Sequence, residues 1–237
     1  MRCGRDAHLF PRWLFVVFVV LALNPGLAAS AAKKTEDSVL VYQSDDGSFS
    51  TYVPNEKNKL RNKDKEQHDE TETSNPAAFP TDIAVAAIGG TDYYDTGNSI
   101  WIYPPPNYLG GAAGASHKAS VTWDAGWSVS ASFSGEARAV WMGNSPWNAD
   151  WIENKIRWSV SGLNVSLSIP AGVTITGSGK NASWNVAYGP TWRLYNTFSN
   201  VRFSGSTLWG AAMENTGYFY FQWYSASVGA YSSSSRA

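Results

Sequence analysis

The sequence predicts an all-β chain: an antiparallel β-sandwich or jelly roll with one short loop helix, preceded by a signal peptide and a polar linker. Three observations carry this. The first is Gly126–Trp141 (GWSVSASFSGEARAVW), where Val129, Ala131, Phe133, Ala137, Ala139 and Trp141 alternate with Ser130, Ser132, Ser134, Glu136 and Arg138. A period of two puts the apolar set on one face of a strand and the hydroxyls on the other. The second is the return of that period, with turn signals about every eight to twelve residues. The third is the scarcity of helix signal. A partly closed barrel is the alternative arrangement of the same strands.

In chain order, Arg2, Arg5 and Arg12 precede the apolar run Leu14–Leu23, broken by Asn24-Pro25-Gly26 and followed by small residues through Ala32. This is the pattern of a secretory signal peptide over residues 1–32, and the run is short for a membrane span. Residues 33–80 form a separate region. Val39–Gln43 and Ser48–Val53 flank a polar Ser44-Asp-Asp-Gly47 turn and read as a small hairpin. Asn55–Asn75 is almost wholly polar and charged, a flexible linker or propeptide in which His68 is solvated. The alternative is that the hairpin adds a strand to the main domain.

A Trp/Tyr-rich sandwich domain is expected over residues 81–237. Ile83–Ile88 is a strand candidate, Asp92–Asn98 a turn-rich loop, Ser99–Tyr103 a strand stopped by Pro104-Pro-Pro106, and Asn107–Ser116 a Gly/Ala-rich loop. Ala119–Trp123 leads through Asp124-Ala-Gly126 into the long strand, where Gly135 is the expected site of a bend or bulge. Asn144–Asn154 carries the helix signal, with Ser145 as N-cap, Pro146 at the first helical position, and Trp147 and Trp151 four apart. Alternation resumes at Ile156, changes parity at Gly162, and continues through Ile169, Val173–Thr176 and Trp184–Tyr188. A parity slip at a glycine predicts a bulge. The last strong strand is Tyr218–Tyr224 (YFYFQWY), and the SSSSRA terminus is expected to fray.

Composition narrows function. The formal net charge is −1, and from residue 81 onward eight acidic residues balance eight basic ones. That balance predicts no nucleic-acid partner and no polybasic membrane patch. The single cysteine, Cys3, lies in the signal region, so no disulfide or cysteine metal site is expected, and the protein should be secreted.

No cofactor is implied. Asp92 and Asp95 are the candidate metal ligands, but turn-forming Asp is the simpler reading. His117 lacks the partners of a catalytic triad. A glycosidase needs two carboxylates on one cleft. The carboxylates available are Asp124, Glu136, Asp150, Glu153 and Glu214, the last expected in a turn. Glu136 is the catalytic candidate, sharing a face with Arg138, although a surface Glu–Arg ion pair is the simpler reading.

Twelve tryptophans and twelve tyrosines point instead to binding. Trp127, Trp141, Trp158 and Trp184 share parity with aliphatics and belong to the core. The candidate ligand-binding residues are Trp147 and Trp151, the tyrosines around the Pro-rich loop (Tyr93, Tyr94, Tyr103, Tyr108), and a stripe of Tyr218, Tyr220, Gln222 and Tyr224 opposite Phe219, Phe221 and Trp223. Such rings suit sugar stacking, so the expected partner is a polysaccharide or cell-surface glycan bound without catalysis. One alternative is a β-pore-forming protein using Ser128–Ser134 and Leu163–Thr176, the one case in which a membrane is the partner. The other is a jelly-roll glycoside hydrolase.

Overall fold

A computed structural model describes residues 38–55, 89–104, 109–124, 129–143, 147–170 and 172–236. The signal peptide, the charged linker with His68, the Ile83–Ile88 strand, Tyr108 and Trp127 lie outside the described residues. The described chain is two packed antiparallel sheets, a β-sandwich, with no helix among the described residues.

Twelve strands build it: β1 Ser38–Gln43, β2 Phe49–Pro54, β3 Gly90–Ile102, β4 Gly111–Asp124, β5 Val129–Gly143, β6 Trp151–Leu163, β7 Ser166–Ser168, β8 Thr176–Ser178, β9 Asn181–Tyr188, β10 Arg193–Gly205, β11 Thr207–Phe221 and β12 Tyr224–Ser235. One sheet runs β1-β2-β10-β5-β4-β3, with β7 also on β10. The other runs β12-β11-β6-β9-β8. The hairpin at residues 38–54 is hydrogen-bonded to β10 through Tyr52↔Tyr195 and Phe49↔Phe198, so the larger sheet includes it.

The organising alternation forms β5, the strand between β4 and β10. Ala131, Phe133, Ala137, Ala139 and Trp141 are all fully buried. The irregularity expected at Gly135 is present, but the extra residue belongs to its partner. β10 advances from Phe198 to Val201 while β5 advances from Gly135 to Phe133, and Asn200 takes φ 61°. Gly135 is needed because a Cβ there would overlap the Lys118 carbonyl and Ala119 on β4. The Gly162 parity change likewise marks a bulge on β11, between Leu208 and Gly210.

Several expectations are corrected. Of the expected helix at Asn144–Asn154, residues 144–146 lie outside the described residues and 147–154 are not helical: Ala149 bridges Thr191, and Trp151 opens β6. Residues of β6 are hydrogen-bonded to β9 and β11 on both sides, which outweighs the costly nucleation of a short helix. Asp92–Asn98 is not a loop but the middle of edge strand β3, where polar side chains are tolerated. From Gly111 the expected Gly/Ala loop is β4. Its small inward residues Ala113 and Ala115 share a core with the large Trp141 ring. Glu214 lies within β11, not in a turn. The C-terminus is paired through Ser235, and Arg236 binds Asp92 at 2.7 Å.

The interior is divided. One buried cluster, around Phe133, Trp158, Trp184 and Phe203, fills one end. A second, around Trp141, Trp192, Phe219 and Phe221, fills the other. Between them runs a polar waist. Thr51, Asn196, Ala137 and His117 stand in register across four strands of the larger sheet. Asn154 and Asn215 face them from the smaller sheet, both fully buried. The Asn215 amide donates across the sandwich to the Ser116 and Arg138 carbonyls at 2.9 and 2.8 Å. His117 Nε2 meets Ser232 Oγ at 3.0 Å, and Thr51 Oγ1 donates to Asn196 Oδ1 at 2.9 Å.

Candidate ligand-binding surface

The outer face of the smaller sheet is built by alternate residues of three adjacent strands. β6 contributes Trp151, Glu153, Lys155, Arg157 and Ser159; β11 contributes Tyr220, Tyr218, Thr216, Glu214 and Ala212, each the register partner of the β6 residue in the same place. β12 adds Ser225, Ser227, Gly229, Tyr231 and Ser233 beyond β11. Their partners at the odd step, Ile152, Ile156 and Trp158, are buried, so this side chain set faces outward by strand parity.

Aromatic rings mark both ends of this face. Trp151 and Tyr220 pack edge to face, with centroids 5.3 Å apart and planes at 78°. Trp151 remains 52% exposed. Tyr220 donates its hydroxyl to Glu153 Oε2 at 3.4 Å, and partial burial with the nearby Glu153 charge raises its pKa. Tyr218 stands opposite Glu153. Four residues along β11, about 13 Å by strand rise, Glu214 pairs with Arg157 at 3.3 Å and has Tyr231 as its neighbour on β12. Beyond it, small residues Ala212, Gly210, Ser159 and Ser161 floor a shallow groove flanked by Tyr231 and Trp209. The arrangement offers flat rings, hydroxyls and balanced charges in one plane.

The outer face of the larger sheet differs. Glu136 accepts from Arg138 at 2.9 Å and from the Tyr195 hydroxyl, and Arg138 lies over the Tyr195 ring at 5.4 Å. Burial, and then the bond to Glu136, raises the Tyr195 pKa. The register neighbours of Glu136 are Lys118 on β4 and Thr197 on β10, neither of them a carboxylate. Arg138 and Tyr195 therefore occupy the carboxylate that the sequence singled out.

The structure separates the predicted ligand-binding residues into three groups. Tyr218, Tyr220 and Trp151 come together on the smaller sheet. Tyr224 and Gln222 leave that stripe. Residues 222 and 223 form a two-residue turn between β11 and β12, with Gln222 at φ 50°. Tyr224 then returns on the core side, half-buried against the Trp141 cluster, as does Trp147. Trp223, expected inward beside Phe221, is 74% exposed at the turn. Tyr93 is 82% exposed while Tyr94, its neighbour, is 5% exposed and bonds the Ala211 carbonyl and Ser234. Burial pushes the Tyr94 pKa up to about 12. Tyr103 is exposed beside Trp101, 6.3 Å between centroids.

Asp92 and Asp95 stand three apart on β3 and so take opposite faces. Asp92 accepts from Trp123 Nε1 and Arg236, and Asp95 pairs with Lys118. Among the described residues no group of three potential metal ligands forms. His117 is buried in the waist, and that burial lowers its pKa to about 4.

Sequence reasoning overlooked Trp209 and Tyr231. Tyr231 was legible, because Val228 and Ala230 are buried and put it on the outward parity. Trp209 was not, since it stands at the β11 bulge.

No known protein family matches the chain, and no curated protein is detectably similar to it. A solved structure described as the complete manganese lipoxygenase of Gaeumannomyces graminis and partial zonadhesin of Komagataella pastoris is similar at 8% identity. The likeness covers 85% of this chain and 94% of that one, at a TM-score of 0.25, a level that carries no argument.

Proposed function

We propose that this is a secreted, non-enzymatic protein that binds polysaccharide or cell-surface glycan on the outer face of its smaller sheet. The observation that supports this most is the Trp151–Tyr220 pair, exposed beside Tyr218 with its hydroxyl on Glu153. A pyranose ring has an apolar C–H face suited to a flat aromatic and a rim of hydroxyls suited to Glu153 and Lys155. The run toward Tyr231 suits an extended chain of sugars. The absence of catalysis is supported by Glu136, which is held between Arg138 and Tyr195. Secretion rests on the N-terminal pattern of residues 1–32.

Titration calorimetry against a panel of neutral and charged glycans tests the reading. Binding that falls at least tenfold in Trp151→Ala and Tyr220→Ala is expected. No binding to any glycan, or binding indifferent to both substitutions, would remove it.

One observation favours the pore-forming reading. Between β6 and β9 the described residues 164–170 and 172–180 carry just two three-residue strands, β7 and β8, and Val165, Leu167, Val173 and Ile175 pack inward with Ser/Thr alternating among them. Dye release from liposomes is the test, and intact vesicles across lipid compositions would argue against it.

A further inference from the structure

We infer that the end of the sandwich at the Trp141 cluster is a docking surface for the interfacial region of a zwitterionic phospholipid bilayer. The inference goes beyond glycan binding and uses other residues.

Several exposed large apolar side chains gather at one end, others lying on edge strand β1 and at Tyr93, Leu163, Trp209 and Tyr231. Trp101 and Tyr103 lie at the end of β3, Leu109 just before β4, Tyr188 at the end of β9 and Trp223 in the β11–β12 turn, all of them exposed. Register puts these segments at one end. Ile102 pairs with Gly111 and Gly111 with Gly143 in the larger sheet, while Tyr188 pairs with Ile152 beside Trp151 and Tyr220 in the smaller. The two sheets meet there through the Trp141–Phe221 ring contact at 4.9 Å, and the Trp141 backbone N–H donates to the Trp192 carbonyl, holding the start of β10 against β5 within the larger sheet. Separate connections thus bring one Leu and four Trp or Tyr residues to a common rim.

Three features select the partner. The rim is spread over three connections, β3–β4, β9–β10 and β11–β12, so it offers a broad surface rather than a groove for a peptide. Its residues are chiefly Trp and Tyr, whose rings are apolar and whose N–H or O–H remains wet, the combination that favours the headgroup level of a bilayer. Residues 101–104, 109–111, 188–192 and 222–224 carry no charge. The nearby charges are one of each sign: Asp150 accepts the Gln222 backbone N–H, and Arg193 lies over the Trp192 ring at 5.0 Å and donates to Ser38 Oγ. A neutral aromatic rim matches zwitterionic headgroups. It has no basic cluster to seek anionic lipid, which would need Lys and Arg near the surface.

The test is flotation of the full chain with phosphatidylcholine vesicles, with tryptophan quenching by bromine-labelled lipid as the second readout. The wild type should float and be quenched. The triple variant Trp101→Ser, Leu109→Ser, Trp223→Ser should lose binding at least tenfold, whereas Trp209→Ser, at the opposite end, should bind as the wild type does. All three positions are exposed, and circular dichroism checks that the fold survives. Wild-type protein that ignores phosphatidylcholine vesicles, binds only anionic ones, or binds equally well after the triple substitution would overturn the inference.

Discussion

The two ends of the sandwich share one backbone plan and carry opposite chemistry. At the end of the Trp141 cluster, the connections expose Trp101, Tyr103, Leu109 and Trp223 and are nearly free of charge. At the other end, around Phe133 and Phe203, the connections and strand ends present Asp45, Asp46, Asp124, Lys180 and Arg202. Asp46 is tied by the Ser48 backbone N–H at 3.0 Å and by the Ser44 and Ser48 hydroxyls, bonds that hold its carboxyl below the usual range. Arg202 pairs with Asp124 at 3.6 Å. Both ends have a dense aromatic core, so stability does not require the difference. The Phe133 end also leaves Leu163 and Trp209 in water, but the Trp141 end gathers Trp101, Tyr103, Leu109, Tyr188 and Trp223 on nearly uncharged connections, and such a patch marks a surface that meets something.

The largest test of this contrast is within the core. Trp141→Ala should destabilise the protein by about 3–5 kcal/mol, because a fully buried indole leaves a cavity. Urea denaturation measures it. A loss under about 1 kcal/mol would mean that the aromatic rim stands on a loosely packed base.

The waist between the ends titrates. His117 is neutral when buried, with a folded pKa of about 4 against an ordinary 6.5. A depressed folded pKa means that stability is full above pH 6.5 and falls as pH drops toward 4, because the unfolded chain binds the proton first. The loss is about 3 kcal/mol at most. His117→Gln should flatten that segment of the stability–pH curve, and an unchanged slope would assign the acid response elsewhere.

Asn215→Ala should cost about 1–3 kcal/mol, since two carbonyls in the other sheet lose their donor. Thermal melts would show it, and Asn215→Asp separates lost donation from lost volume. The smallest effect belongs to the exposed Arg157–Glu214 pair: Arg157→Ala should change stability by less than about 1 kcal/mol, and less still in high salt. A larger cost would make the outer face a structural network rather than a surface open to ligand.

Legibility in the sequence followed the reach of the interactions. β5, β6 from Ile156 onward, β9 and the two ends of β11 declared themselves, because one buried face per strand imposes a period of two. β3 and β4 did not. Asp92–Asn98 and Gly111–Ser116 have poor strand propensity and are extended only because they pair with each other and β4 pairs with β5. The Gln222-Trp223 turn lacks the Asn-Gly or Asp-Gly signature that announces a hairpin, so parity was carried two residues too far. That slip put Tyr224 on the tyrosine stripe and Trp223 in the core, whereas Tyr224 packs against the core and Trp223 is exposed at the turn. Trp151 and Tyr220 were each named from local pattern, yet their contact joins strands 69 residues apart, a pairing set by the β6–β11 ladder.

By itself the sequence determined the layers: alternating apolar and hydroxyl side chains can bury only one face, and two such faces close on each other. It also determined the charge balance and the want of a disulfide, which composition states without geometry. Tertiary structure decided which rings remain in water. That choice depends on strand pairing, bulges and the placement of turns, and each of these is settled by residues far away along the chain.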